Sequence, residues 1–235
     1  MTTPPSEFLA AARSMGLEFE PGDLERLGAY LDRLLEANTR FNLTAITDPS
    51  QAWRRHVLDS LTLLPFIVDA DAASVADVGS GGGLPGLPLA CVMPDVRFTL
   101  FEATGKKARF LGETAAALGL SNVEVVNQRA EAAGQDHHHF RERFDVVTAR
   151  AVGPLPVLLE LTVPLARVGG LVLAMKGARA DEEITQSKQA LHRLHAAVAG
   201  VHPTPTGVII AIEKQRPTPR IYPRPPGEPK RHPLS

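Results

Sequence analysis

The chain has a single cysteine, Cys91, so it can form no internal disulfide and no thiolate cluster able to hold zinc. Lying inside an apolar segment, that residue reads as a packing group. No apolar run approaches the length needed to cross a bilayer, and the N-terminal stretch MTTPPSEFLAAARS lacks the basic-then-apolar order of a signal peptide. A cytoplasmic location is therefore expected. Excess charge is missing too: the formal net charge of −1 neither favours nor excludes a polyanionic partner. What remains is 235 residues with 44% hydrophobic content, enough for one medium domain with an appendage.

The small net charge hides an uneven distribution. From Lys214 to Ser235 the basic residues are Lys214, Arg216, Arg220, Arg224, Lys230 and Arg231, against the single acid Glu228, on a proline-rich background. Such a segment reads either as a solvated tail wrapping its own domain or as a phosphate-binding one.

Helical spacing dominates the first part of the chain. Leu24, Leu27, Leu31, Leu34 and Leu35 fall on one side of a helix over 23–38, with Asp23 as a candidate N-cap. Asp48 and Pro49 announce a second helix whose stripe is Val57, Leu58, Leu61 and Leu64. From Ser74 onward, short apolar runs alternate with helical patterns. Strands are expected at 74–78, 97–102, 123–127, 144–149, 170–176 and 208–214, and helices near 87–93, 106–118, 155–166 and 181–199. The stretch GVHPTPTG has room for one more short strand. The expected fold is α/β, a doubly wound, mostly parallel sheet with a helical extension over 1–72, a core over 73–214 and a basic tail over 215–235.

The stretch VADVGSGGGLPGLPLA sits at the carboxyl end of the first expected strand, where such sheets bind ligands. Gly79, Gly81, Gly83 and Gly86 let the backbone turn and approach a ligand, although the G-x-G-x-x-G spacing alone is weak. Two acids narrow the choice. Asp77 precedes the loop, and Glu102 ends the next strand, where a carboxylate can accept from both hydroxyls of a ribose. An acid at the loop suits the sulfonium of S-adenosylmethionine better than the pyrophosphate of a dinucleotide. On the loop alone, a nicotinamide-dependent oxidoreductase and a catalytically silent binder of S-adenosylmethionine stay open.

Further motifs are FNLTAI (41–46), HVLDSL (56–61), KKARFL (106–111), TARAVGPL (148–155), AMKG (174–177) and YPRPPGEPKRHPL (222–234). With the glycine loop, they make the chain resemble the bacterial small-subunit ribosomal RNA methyltransferases that act on guanine N7, the RsmG (GidB) family. The resemblance runs from Asp23 to the C-terminus. It implies a class I (Rossmann-like) S-adenosylmethionine-dependent methyltransferase in which Gly79 and Leu84 contact the methyl donor, Ala130 and Glu131 border its adenine, and Arg150 completes the site in a positioning role. The family usually has an aromatic residue where this chain has Leu84. The implied partner is 16S ribosomal RNA or the small subunit, and a monomer without metal is expected.

What is missing agrees with N7 chemistry. N7 carries an in-plane lone pair and no proton, so the reaction needs positioning rather than a base. The Asn/Asp-Pro-Pro-aromatic turn of exocyclic amine methyltransferases is replaced by TARAVGPL, and Cys91 is not placed as a C5 nucleophile. Lys176 could serve 2′-O methylation, but its usual aspartate partner is replaced by Arg150, whose guanidinium could hold the donor's carboxylate or a guanine edge near O6. Guanine N7 is inaccessible in an A-form helix, so the target belongs in a loop or is flipped out. Candidate RNA contacts are Arg54, Arg55 and His56; Lys106, Lys107 and Arg109; Lys176 and Arg179; and Arg220, Arg224, Lys230 and Arg231 in the tail. His137, His138 and His139 are consecutive and cannot easily converge on one ion, so they read as a polar loop.

Overall fold

The computed structural model describes residues 2–234. Helices α1 (Ser6–Ser14) and α2 (Asp23–Asn38) come first. Then α3 (Pro49–Ala52) runs through a π-helical stretch, Trp53–Leu58, into α4 (Asp59–Leu61), and α5 spans Leu64–Asp69. Asp48 caps α3 through the Gln51 amide as its sequence suggested. Asp23 does not cap α2: Gly22 does, in a left-handed conformation, while the Asp23 carboxylate accepts the Glu20 amide and pairs with Arg26.

The alternating half is built from β1 (Ser74–Val78), α6 (Gly86–Val92), β2 (Arg97–Phe101), α7 (Gly105–Ala117), β3 (Val123–Val126), α8 (Ala130–Gln135), β4 (Phe144–Arg150), α9 (Leu155–Thr162) and β5 (Ala166–Lys176). It continues with α10 (Ala180–Gln186), α11 (Lys188–Leu194), β6 (Ala196–Thr204), β7 (Gly207–Lys214) and α12 (Glu228–Arg231). One seven-stranded sheet results, in the order β3-β2-β1-β4-β5-β7-β6. Strands β1 to β5 are parallel, and the β6–β7 hairpin joins antiparallel at β5.

Both faces of the sheet are covered, which explains strands that read as continuous apolar runs. On one face Val75, Leu100, Val146, Leu173 and Ile209 share a buried cluster with Leu27, Leu31 and Trp53 of the N-terminal helices. On the other, Ala76, Val147, Val172 and Ile210 pack with Leu158 of α9 and Leu194 of α11. Successive strand residues thus go to opposite layers, as the two-residue period requires. No helix among the described residues is long and apolar enough to cross a membrane.

Two expectations are corrected. The single helix over 181–199 is broken at the buried Ser187, and it stops at His195 in a left-handed conformation (φ 60°); residues 196–199 then begin β6. The extra strand is there but shifted, starting at Ala196 before GVHPTPTG and ending at Thr204 within it, and Pro203 is tolerated because β6 is an edge strand. The C-terminal segment wraps its own domain and is docked on it. Arg141 is buried and donates to the carbonyls of Gly134, Thr218 and Tyr222. Tyr222 and Leu234 are buried as well.

Candidate active site

The bend after β1 is shaped by its glycines and held from all sides. Gly79, Gly81 and Gly83 have left-handed φ values of 71°, 56° and 97°. At Gly79 an added Cβ would meet Val152 Cγ2 at 3.0 Å, and at Gly86 it would collide with the Leu100 side chain. Glu102 Oε2 accepts the Gly81 amide at 3.0 Å, and Oε1 accepts the Thr104 amide at 2.7 Å. Asp77 Oδ2 accepts the Gly86 amide at 3.2 Å, and Oδ1 accepts the Thr148 hydroxyl at 3.1 Å. From α2, the Tyr30 hydroxyl donates to Gly82 O at 3.0 Å. Sequence reasoning missed Tyr30, because nothing in a leucine-striped helix marks one buried phenol as the brace of a loop 52 residues away.

A cavity of about 220 Å³ opens beside this bend, lined by Gly79, Glu102, Ala130, Glu131, Val152 and Lys230 among others. Four of the expected donor-binding residues meet there. Gly81 and Gly83 shape its loop. Asp77 is fully buried beneath the bend and does not line this cavity; burial pushes its carboxyl up to about 6 despite the hydrogen bonds it accepts. Leu84 is half-buried against the apolar cluster on the N-terminal side and does not line the cavity. Glu131 Oε1 accepts the Gly227 amide at 2.8 Å, so the segment preceding α12 is tied to the cavity's rim.

A second chamber, about 290 Å³, lies beside it at the carboxyl ends of β4 and β5, lined by Asp59, Arg150, Met175, Lys176, Glu183 and Thr206 among others. Here Arg150 stands apart from the cavity beside the glycine bend. Its Nη2 donates to Arg55 O at 2.9 Å, and its Nη1 lies 3.2 Å from Asp59 Oδ2. Ala151, with φ 57°, turns the chain, so residues 150 and 151 face this chamber and Val152 faces the other. A larger cavity of about 430 Å³, lined by Ser74, Arg97, Asn122 and Arg143 among others, sits at the opposite, amino ends of the strands, away from the glycine bend.

The expected RNA contacts divide. Arg54, Arg55, Lys106, Arg109, Arg179, Arg220, Lys230 and Arg231 are exposed, and Lys107 is half-exposed. His56 is a correction. It is buried, with Nε2 2.7 Å from the Thr44 hydroxyl and Nδ1 3.1 Å from Arg55 O, and burial followed by the nearby Arg150 charge lowers its pKa to about 4. Arg224 is another: it is paired with the buried Glu160. Lys176 is held by Glu183 at 2.5 Å and Gly153 O at 2.8 Å. Lys214, counted with the tail, is fully buried against Glu142. Cys91 is buried in α6 and its thiol is pushed up to about 12, which keeps it protonated. His139 pairs with Asp136, and among the described residues no group of three or more His, Cys, Asp or Glu could hold a metal ion.

The fold is that of the class I methyltransferases. The O-methyltransferase TomG from Streptomyces achromogenes, described as involved in tomaymycin synthesis and in complex with SAM, superposes with a TM-score of 0.56 at 18% identity, covering 88% of this chain and 96% of that one. Residues 23–206 match the family GidB, described as rRNA small subunit methyltransferase G. The chain is 49% identical to a ribosomal RNA small subunit methyltransferase G from Sorangium cellulosum, covering 98% of this chain and 92% of the relative. It is 43% identical to the protein of the same name from Roseiflexus castenholzii, covering 97% and 99%. The chain belongs to the rRNA small subunit methyltransferase G family.

Proposed function

We propose that the protein transfers a methyl group from S-adenosylmethionine to N7 of a guanine in 16S ribosomal RNA, free or within the small subunit. The observation that carries this reading is the division at the exit of β4. Residues 150 and 151 line one chamber and residue 152 the other, so a methyl donor and a base held in the two would meet across one bend of backbone.

The donor cavity suits that ligand. It offers bare backbone at Gly79, apolar walls at Val152 and Leu161, and the Glu102 carboxylate for a ribose diol, beside a bend flanked by acids. When bound, the donor supplies an electrophilic methyl on a positively charged sulfur. The guanine N7 lone pair forms the new carbon–nitrogen bond as the carbon–sulfur bond breaks, the bonding pair stays on sulfur, and the positive charge passes to the purine. No proton leaves, so the chain's task is alignment. Both His56 ring nitrogens are occupied and Cys91 is protonated, which fits a site without a general base or thiolate.

In this reading residues 73–214 bind the donor, 1–72 form the second layer on one face, and 215–235 strap the cavity's rim. Exposed Arg54, Arg55, Lys106, Arg109 and Arg179 would contact phosphates around an unpaired or flipped guanine. The protein would act as a monomer in the cytoplasm.

The deciding experiment incubates the protein with tritiated methyl donor and either small subunits or naked 16S RNA, then digests the RNA to nucleosides. Labelled 7-methylguanosine is the expected product. Donor binding by calorimetry without label on either substrate would instead mark a silent binder.

A further inference from the structure

The second chamber contains two acid–base pairs, Asp59 with Arg150 and Glu183 with Lys176. Its formal charges cancel, which makes it a poor phosphate groove and a good pocket for an uncharged base. Glu183 is neutralised at close range: its Oε2 takes Lys176 Nζ at 2.5 Å and the Leu155 amide at 2.7 Å. Asp59 is different. Its Oδ1 is held by the Thr206 hydroxyl, while Oδ2 is opposed only by Arg150 Nη1, and that nitrogen is buried with no aligned hydrogen-bond partner. A carboxylate oxygen and a guanidinium are thus held in one wall with bonding capacity left over.

We propose that Asp59 is the residue that reads the guanine, its carboxylate accepting the N1–H and N2–H of the base's Watson–Crick edge. This rests on the reading of the two chambers given above. Among the four RNA bases only guanine presents two neighbouring donors on that edge. Adenine, cytosine and uracil each put an acceptor beside their donor, where it would face a carboxylate oxygen. The Watson–Crick edge is also remote from N7, so the nucleophilic lone pair stays free. A bidentate Arg150 contact to O6 and N7 would block it, and the tie of Arg150 to Arg55 O and Asp59 keeps that side chain back.

The same contact acts on the rate. As the methyl arrives, positive charge spreads over the purine and its N–H groups become stronger donors. Hydrogen bonds to Asp59 therefore tighten toward the transition state, which is the kind of binding that accelerates a reaction. The π-helical stretch just before α4 sets the azimuth of Asp59, and the β6–β7 turn brings Thr206 to hold it.

The test compares guanine with inosine, which lacks the 2-amino group but keeps O6, N1–H and N7, at the mapped target position of an RNA fragment. Donor-free RNA affinity and single-turnover methylation are both measured. Wild type should favour guanine by about 10- to 100-fold, the loss expected for one buried acceptor left unpaired. In Asp59→Asn that preference should collapse toward unity, with donor affinity retained. Thr206→Val, which removes the hydroxyl that holds the Asp59 carboxylate in place, should reduce the preference partially and serves as the second variant if Asp59→Asn folds poorly. A variant that keeps the guanine-to-inosine ratio of wild type overturns the assignment and leaves the methyltransferase reading standing. Wild-type protein that binds donor yet methylates no guanine overturns both.

Discussion

Arg224 grips Glu160 with two hydrogen bonds, Nε to Oε1 at 2.8 Å and Nη2 to Oε2 at 2.6 Å, and Glu160 is fully buried in α9. The Arg224 amide adds a third contact to Oε1 at 2.8 Å. A residue that composition assigns to a basic tail is therefore a structural bolt. It fixes the segment whose Gly227 amide then reaches Glu131 at the donor cavity.

Removing one half of that pair should be costly. Arg224→Ala leaves Glu160 buried and unpaired, at about 3–5 kcal/mol. The double variant Glu160→Leu with Arg224→Leu should lose far less. Urea denaturation of the two variants checks this, and equal losses would show that the segment docks without the pair.

Two buried groups should give opposite pH dependences in the same window. The folded His56 pKa, about 4, lies below its ordinary value of 6.5. The unfolded chain therefore binds the extra proton between them, and stability from this group rises with pH from 4 to 6.5. The folded Asp77 pKa, about 6, lies above 3.8, so here the folded chain holds the proton and stability falls as pH rises from 3.8 to 6. Relative to wild type, Asp77→Asn should gain, and His56→Gln should lose, about 3 kcal/mol over that window. Chemical denaturation at several pH values measures both slopes, and parallel curves for either variant would count against its assignment.

Glu102 has two tasks, bracing Gly81 and Thr104 and facing the donor cavity. In Glu102→Gln one amide would face an NH2 donor, so the loop should loosen and donor affinity fall by about 10- to 100-fold. Calorimetry with S-adenosylmethionine reads this directly; an unchanged dissociation constant would remove Glu102 from the donor site.

Salt dependence should separate surface cations from buried ones. Each exposed residue that touches a phosphate should reduce the slope of log affinity against log salt by about 0.7–0.9 when changed to Ala. Lys106, Arg109 and Arg179 are the ones to vary. Lys214 is fully buried and should leave the slope untouched in any variant that folds.

Much of this fold was legible because both signals that build it are local. Apolar runs fixed β1, β2, β3 and β4 to within a residue at either end, and the Asp48–Pro49 cap announced α3. The first part of β5, Ala166–Gly169, was read as helix and connection because its Val168 and Gly169 are exposed and carry no inward pattern. Strand β6 was harder still. Residues 190–199 keep helical spacing, and only pairing with β7, beyond a left-handed His195, makes the last of them a strand.

The site was legible in the same uneven way. The glycine bend, Glu102, Ala130 and Glu131 lie at strand ends and motif positions, and they do converge. Which cations face solvent was not legible, because their partners are distant acids: Glu142 is 72 positions from Lys214, and Glu160 is 64 from Arg224. Asp59 sits inside a helical run, and only the β6–β7 turn folding over it shows that its carboxylate borders a chamber.

The bend at Ala151 brings the linings of the two chambers together in three consecutive residues. Point changes there can spoil one compartment and spare its neighbour. Inserting or deleting one residue between Arg150 and Val152 would rotate each side chain into the wrong compartment, so length at this point is under a stricter constraint than identity.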